Sequence, residues 1–274
     1  MKVKDSRTGQ DEQVTFESIL KEVARGKQEQ RIGRYTFTEL TTAQQRKFVN
    51  TGYSQAETFT VMDNIFNTII ADNVACADEM SVVDTVTVEN KPFFLNVLRR
   101  MSLGGEFTDP STGKVYNLPE VKESDLEPSI APQELSVGAA VKVGLAVPTL
   151  NVDGHYNELL RTALKPYRRK SMDDVETQAP VYDLLGQYEI MKFIDTVSFN
   201  GTAYDFIRIP MEQKRRFLDS MPSKDMERIR EYIAAVKEKG SLATLCRNDE
   251  TGDEVQAFTY RLFLLTPAAG ADEA

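Results

Sequence analysis

The chain is poor in the side chains on which most enzymes and metal sites depend. It contains one histidine and two cysteines among 274 residues. A Ser/His/Asp or Cys/His site would have to use His155, which lies at a predicted helix start, where the helix dipole disfavours a protonated imidazole. Cys76 and Cys246 are far apart in sequence and indicate neither a disulfide framework nor a zinc site. We therefore predict no catalytic, cofactor-binding or metal-binding residues.

Motifs for nucleotide chemistry are missing as well. Gly113-Lys114 lacks both the upstream glycine and the following Ser/Thr of a phosphate loop. Carboxylate pairs such as Asp173-Asp174 could in principle support glycoside hydrolysis, which needs only two acids. A chain with 42 acidic residues contains many such pairs, however. We interpret them as solvated surface.

No long uncharged apolar run is present either. The N-terminus lacks the apolar segment of a secretory signal, and the least charged stretch, residues 135–152, carries Lys142 and Pro148. The 33 basic and 42 acidic residues give a net charge of −9. That charge disfavours non-specific binding to nucleic acid and suits a basic protein partner. We expect a cytosolic protein that contacts neither a membrane nor a nucleic acid.

Helical periodicity dominates the first and last thirds of the chain. Phe16, Ile19, Leu20 and Val23 recur at i, i+3, i+4 and i+7, which predicts a helix over residues 15–25. A polar joint is predicted to follow at residues 27–34, and Asp153 is the predicted N-cap of a later helix. The other predicted helices cover residues 54–70, 90–101, 156–167, 181–197, a short piece around 217, and 226–236.

Strand patterns are concentrated in the middle of the chain. Turn residues at 109–113 separate two short strand-like runs and predict a hairpin. Between residues 135 and 147, apolar and small residues alternate, which predicts one long strand. One face of that strand is aliphatic, and the other consists of Ser136, Gly138, Ala140, Lys142, Gly144 and Ala146.

These patterns predict an α+β fold that is mainly helical, with a β-rich middle segment and a C-terminal hairpin. The hairpin joins residues 242–247 to residues 255–265. The predicted parts are an N-terminal helical part, a β-rich middle, a C-terminal helical part with the terminal hairpin, and a flexible tail; their bounds are 1–105, 106–152, 153–266 and 267–274.

Two features are candidates for contact with a partner protein. The first is the small-residue face just described, Ser136 to Ala146, because small side chains let another backbone approach closely. Such an approach fits either packing within the molecule or strand addition by a partner. The second is Arg99, on a part of its helix that we expect to be exposed.

Several segments, taken in succession, resemble the baseplate hub assembly family of T-even-type contractile-tailed phages (myoviruses). They are Leu40-Thr-Thr-Ala-Gln-Gln-Arg-Lys-Phe48, the run from Phe93 to Gly104, the strand that ends in Pro148-Thr-Leu150, and residues 190–194 followed by 216–222. The resemblance covers roughly residues 35–265. Some relatives carry Cys-x-x-Cys-Gly before the final strand, where this chain has only Cys246, so no metal role is carried over.

The resemblance implies a non-enzymatic tail protein that acts in the baseplate hub, either as a structural subunit or as an assembly chaperone. The implied partners are other tail proteins, such as hub, tube or tape-measure components. The implied location is the host cytoplasm during assembly or the tail baseplate of the virion. Two alternatives stay open: a hub-associated peptidoglycan hydrolase that uses carboxylates, and a host cytosolic adaptor protein.

Overall fold

The structure, a computed structural model, describes residues 2–4, 11–13, 16–49, 55–109 and 112–257. It confirms an α+β fold. The helices are α1 (Phe16–Arg25), α2 (Thr42–Val49), α3 (Gln55–Asn73), α4 (Val82–Thr85), α5 (Lys91–Leu103), α6 (Leu150–Ala163), α7 (Val175–Phe193), α8 (Met211–Asp219) and α9 (Ser223–Ser241). The strands are β1 (Lys2–Lys4), β2 (Asp11–Gln13), β3 (Glu29–Ile32), β4 (Tyr35–Thr38), β5 (Val74–Cys76), β6 (Glu106–Thr108), β7 (Val115–Asn117), β8 (Gln133–Val137), β9 (Val141–Leu145), β10 (Ile194–Phe199), β11 (Thr202–Asp205), β12 (Leu245–Arg247) and β13 (Glu254–Gln256).

The N-terminal third contains a sheet that the sequence analysis did not predict. The polar joint predicted at residues 27–34 is wrong, because β3 lies there and pairs with β4, which in turn pairs with β5. Gly33 has φ +57° and lies in the tight turn between β3 and β4. Tyr35 and Phe37 are buried and pack against Phe94 of α5. Their alternation with threonines is a period-two signal only four residues long.

The long strand predicted over residues 135–147 is also wrong. The chain turns at Gly138, whose φ is +68°, and β8 and β9 form an antiparallel hairpin in which Val137 pairs with Val141. Leu135, Val143 and Leu145 still point into the core. Folding the segment back on itself keeps the aliphatic side chains on one face, so the alternation alone could not distinguish one strand from two.

The other half of this central sheet comes from the C-terminal part of the chain. Its strand order is β11-β10-β9-β8. The helix predicted to run to residue 197 ends instead at Phe193, and Ile194 begins β10. Asn200 and Gly201, with φ of +47° and +84°, form the turn to β11. An Asn-Gly pair between apolar runs is a strong hairpin signal, and the sequence analysis did not use it.

The start of α6 differs from the prediction too. Thr149, not Asp153, is the N-cap, and its side chain accepts a hydrogen bond from the Val152 amide at 3.4 Å. The boundary predicted between residues 152 and 153 therefore lies inside a helix. Asp153 is completely buried, and its carboxylate is engaged elsewhere, as described below.

A last sheet brings the two predicted hairpins together, with the strand order β13-β12-β7-β6. Phe107 pairs with Tyr116 in the first hairpin and Cys246 with Val255 in the second, and both hairpins are confirmed within the described residues. Residues 258–274, which include the end of the predicted last strand and the predicted tail, lie outside the described residues.

Candidate functional site

The predicted small-residue face does not exist as one surface. Ser136 and Lys142 lie opposite each other on the exposed side of the central sheet, where Lys142 Nζ pairs with Glu134 Oε1 at 2.6 Å. Gly144 faces Thr196 of β10, and a Cβ atom placed on it would collide with Thr196 Oγ1. The close approach that small residues permit is thus made within the molecule at Gly144.

The remaining members of that set lie outside the paired strands. Gly138 and Ala140 form the β8–β9 turn, and Ala140 accepts a hydrogen bond from the Asn200 amide at 3.1 Å. Ala146 follows β9, and its amide donates to the Phe193 carbonyl at 3.0 Å. Because β8 and β10 occupy the two edges of β9, a partner strand cannot add to β9. Partner contact through the exposed side of the sheet stays a prediction.

Arg99 is not exposed, so the expectation about its surroundings is wrong. Its accessible fraction is 0%, and its guanidinium donates to the Gly104 and Glu106 carbonyls. Burial lowers the pKa of Arg99 to about 10. Seven consecutive residues of α5, from 93 to 99, are buried, so this helix is surrounded on all sides. The side chain fastens the end of α5 to β6.

A different segment presents an apolar surface, and it is α1. Its four large apolar side chains lie on one face of the helix and are all open to solvent. The exposed fractions are 73% for Phe16, 46% for Ile19, 53% for Leu20 and 70% for Val23. The predicted helix is confirmed, and its apolar face is exposed in the described part of the chain.

The local chemistry explains why α1 forms and where it stops. Glu17 lies in its first turn, where a negative charge interacts favourably with the helix dipole and stabilises the helix. Gly26 ends the helix, and its amide donates to the carbonyls of Glu22 and Val23. At ten residues, α1 is shorter than the roughly 12–15 residues that an isolated helix needs to be stable in water. Packing of its apolar face against another surface would supply the stabilisation that a helix of this length lacks in water.

A second notable arrangement is a cluster of buried charges at the junction of α3, α5, α6 and α7. Asp153 Oδ2 accepts from Lys91 Nζ and from Asn67 Nδ2, each at 3.0 Å, and Asp153 Oδ1 accepts from Lys192 Nζ at 3.0 Å. Asp63 adds a further contact to Lys91 at 3.0 Å. We call Asp153, Lys91, Lys192, Asn67 and Asp63 the junction cluster.

Electrostatics keep Asp153 and Lys192 charged. Burial opposes the charge on Asp153, but Lys91 and Lys192 outweigh it and hold the pKa of the carboxyl well below its usual range. Burial likewise opposes the charge on Lys192, while Asp153 and Glu189 raise its pKa far above the usual value. A general acid or base works best with a pKa near the ambient pH. These groups therefore suit helix fixation better than proton transfer.

Lys214 of α8 is a buried amine of the opposite kind. Its Nζ donates to Tyr156 OH at 2.9 Å and to the Ile207 carbonyl at 3.0 Å, and it lies 4.7 Å from the centroid of the Tyr156 ring. Burial lowers its pKa to about 8. The sequence analysis did not identify this residue, because a lysine inside a helix usually extends into solvent.

The acidic pair proposed as a possible hydrolytic site caps a helix. Asp174 Oδ1 accepts from the Glu176 amide at 3.2 Å, and Asp174 Oδ2 accepts from the Thr177 hydroxyl at 3.0 Å, at the start of α7. Asp173 accepts from the Ser171 hydroxyl at 3.2 Å in the preceding turn. Within the described ranges, no group of three or more His, Cys, Asp or Glu side chains could hold a metal ion.

Two further findings bear on the class of protein. None of the helices in the described part of the chain is long and apolar enough to span a membrane. Comparisons of the chain with protein-family models, with curated proteins and with solved structures gave no match.

Proposed function

We propose that this protein acts by binding another protein, and that α1 is the segment that docks. The observation that carries the proposal is the uncovered face made by Phe16, Ile19, Leu20 and Val23. Apolar anchors at i, i+3, i+4 and i+7 are the pattern by which an amphipathic helix enters an apolar groove. The partner we propose is therefore a protein with such a groove.

The energetics favour docking over exposure. Burying one large apolar side chain contributes roughly 1.5–3 kcal/mol, and α1 offers four on a single face. Docking also stabilises a helix that is too short to be stable by itself. The opposite face carries Glu17, Lys21 and Glu22, which stay in water when the apolar face is covered.

The sequence resemblance supports a partner among phage tail proteins. On that basis we propose a non-enzymatic component of the baseplate hub region, which binds hub, tube or tape-measure proteins as a structural subunit or as an assembly chaperone. It would act in the host cytoplasm during assembly, and as a subunit it would stay in the tail baseplate. Mass spectrometry of purified virions distinguishes these roles, since a subunit is present in the particle and a chaperone is not.

Docking through α1 is tested by co-expression with the tail proteins encoded beside this chain, followed by size-exclusion chromatography with light scattering. Val23→Glu should dissociate the complex. Val175→Glu is a matched control, because Val175 is also a helical valine and is 73% exposed; this variant should leave the complex intact. A complex that survives Val23→Glu and Phe16→Ser together would refute docking by α1. The other outcome is that the chain forms a homodimer that Val23→Glu and Phe16→Ser abolish. That result would show that the groove belongs to a second copy, and it would contradict the proposed tail partner.

A further inference from the structure

Gly186 is an exposed glycine inside a helix. It lies inside α7, a helix of 19 residues, where glycine is less stable than alanine by about 0.5–1 kcal/mol. Gly186 is not among the glycines with positive φ, and a Cβ atom placed on it would meet nothing within 4 Å. Neither backbone conformation nor packing requires a glycine at this position.

Gly186 is exposed on α7 and borders a pocket. Gly186 lies in the wall of a pocket of about 430 Å³ formed by α3, α6, α7 and α9. Pockets of this size are typical of small-molecule sites, which span roughly 300–1,000 Å³. Leu160 and Leu185 provide apolar wall, and the rings of Tyr156 and Tyr188 add aromatic surface.

The polar part of the wall carries both signs of charge. Its carboxylates are Asp63 and Glu189, whose side chains are 34% and 28% exposed, and its ammonium groups are Lys192 and Lys237, 10% and 62% exposed. Glu189 joins the two ammonium groups, with contacts of 2.6 Å to Lys192 and 3.0 Å to Lys237. An ammonium group has three donors and a carboxylate about four acceptor sites, so both signs retain capacity for a ligand.

The presence of both carboxylates and ammonium groups favours a ligand that carries both charges. A simple anion would meet Asp63 and Glu189, and a simple cation would meet Lys192 and Lys237, so either would gain attraction and repulsion together. A zwitterion can pair its ammonium group with a carboxylate of the wall and its carboxylate with an ammonium group of the wall. The apolar wall and the space beside Gly186 then accommodate a hydrophobic side chain.

We propose that this pocket binds a small zwitterion, namely a free α-amino acid with an aliphatic side chain. The proposal goes beyond the protein-binding function and does not depend on it, because none of the residues involved belongs to α1.

The test is calorimetric titration of the full chain with L-leucine. Isocaproate, which lacks the ammonium group, and isoamylamine, which lacks the carboxylate, are matched controls. Leucine should bind at least about tenfold more tightly than either control, a difference of roughly 1.4 kcal/mol. Equal binding of the three compounds, or no saturable binding of leucine at millimolar concentration, would overturn the proposal.

Two variants locate the binding. Gly186→Leu fills the pocket and should abolish leucine binding, whereas Gly186→Ala should retain it while raising the melting temperature through better helix propensity. Wild-type affinity in Gly186→Leu would contradict the assignment of the pocket. Val23→Glu in α1 should bind leucine normally, which keeps this outcome separate from that of the protein-binding test.

Discussion

The junction cluster and α1 differ in which side chains are buried. The junction cluster buries charged groups, whereas α1 exposes apolar side chains. At the junction, Asp153 is completely buried and its oxygens accept from Lys91 and Lys192. In α1, four apolar side chains are exposed, and no element among the described residues covers them. The first arrangement is completed within the chain, and the second is completed, under the proposed function, by a partner. The comparison predicts that substitutions at the two places affect different measurements.

The largest effect on folding is expected at Asp153. Asp153→Ala leaves Lys91 and Lys192 buried without their shared carboxylate, and removal of one member of a buried ion pair costs roughly 3–5 kcal/mol. Urea unfolding at neutral pH measures the loss. Asp183→Ala, on the exposed surface of α7, is the control and should change stability by no more than about 0.5 kcal/mol. Equal losses in the two variants would show that the junction cluster does not fix the helices.

The pH dependence of the same site gives a second test. The folded-state pKa of Asp153 lies below its unfolded value, so its stabilising contribution is present above the unfolded pKa and is lost as pH falls through the folded pKa. The difference in unfolding free energy between wild type and Asp153→Asn should therefore shrink as the pH is lowered from about 5 towards 2. A difference that stays constant over this range would contradict the charged state assigned to Asp153.

Lys214 should give a smaller effect in the opposite pH range. Its folded-state pKa of about 8 lies below the unfolded value near 10.5, so the unfolded chain holds the proton longer and stability rises with pH between these two values. The gain is on the order of 2 kcal/mol or less, at about 1.4 kcal/mol per pKa unit. Lys214→Met should remove this rise in a comparison of urea unfolding at pH 7.5 and 10. If the stability of the variant rises with pH as much as that of the wild type, the rise is due to groups other than Lys214.

The smallest effect on folding is expected in α1. Val23→Glu replaces an exposed valine by a better helix former, and surface substitutions change stability by about 0.5 kcal/mol or less. The melting temperature of the isolated chain should be unaffected, as it should be for Val175→Glu. Strong destabilisation by Val23→Glu would mean that α1 packs within its own chain.

The sequence predicted which segments are helical better than it predicted what covers them. Phe16, Ile19, Leu20 and Val23 show the same spacing as buried residues of α9 such as Ile229, Ile233 and Val236. Periodicity identifies an amphipathic helix, but whether its apolar face is covered depends on tertiary packing. The exposure of α1 therefore could not be predicted from its own residues.

The junction cluster could not be predicted from the sequence for a related reason. Lys91 and Lys192 lie 62 and 39 residues from Asp153 in the sequence, and no local pattern connects them. Asp153 also has the composition of an N-cap residue, which is how the sequence analysis interpreted it. By contrast, the hairpin at Asn200-Gly201 was predictable, because that pair alone favours the turn conformation that the structure contains.

The central claim, docking by α1, is tested most directly by hydrogen–deuterium exchange of the chain alone and in complex with the proposed tail partner. In the free chain, the amides of residues 16–25 should exchange rapidly, because a short uncovered helix opens readily. In the complex, these amides should become protected, while the amides of α7 and α9 keep the protection they already have. A complex in which residues 16–25 exchange as fast as in the free chain would contradict the claim.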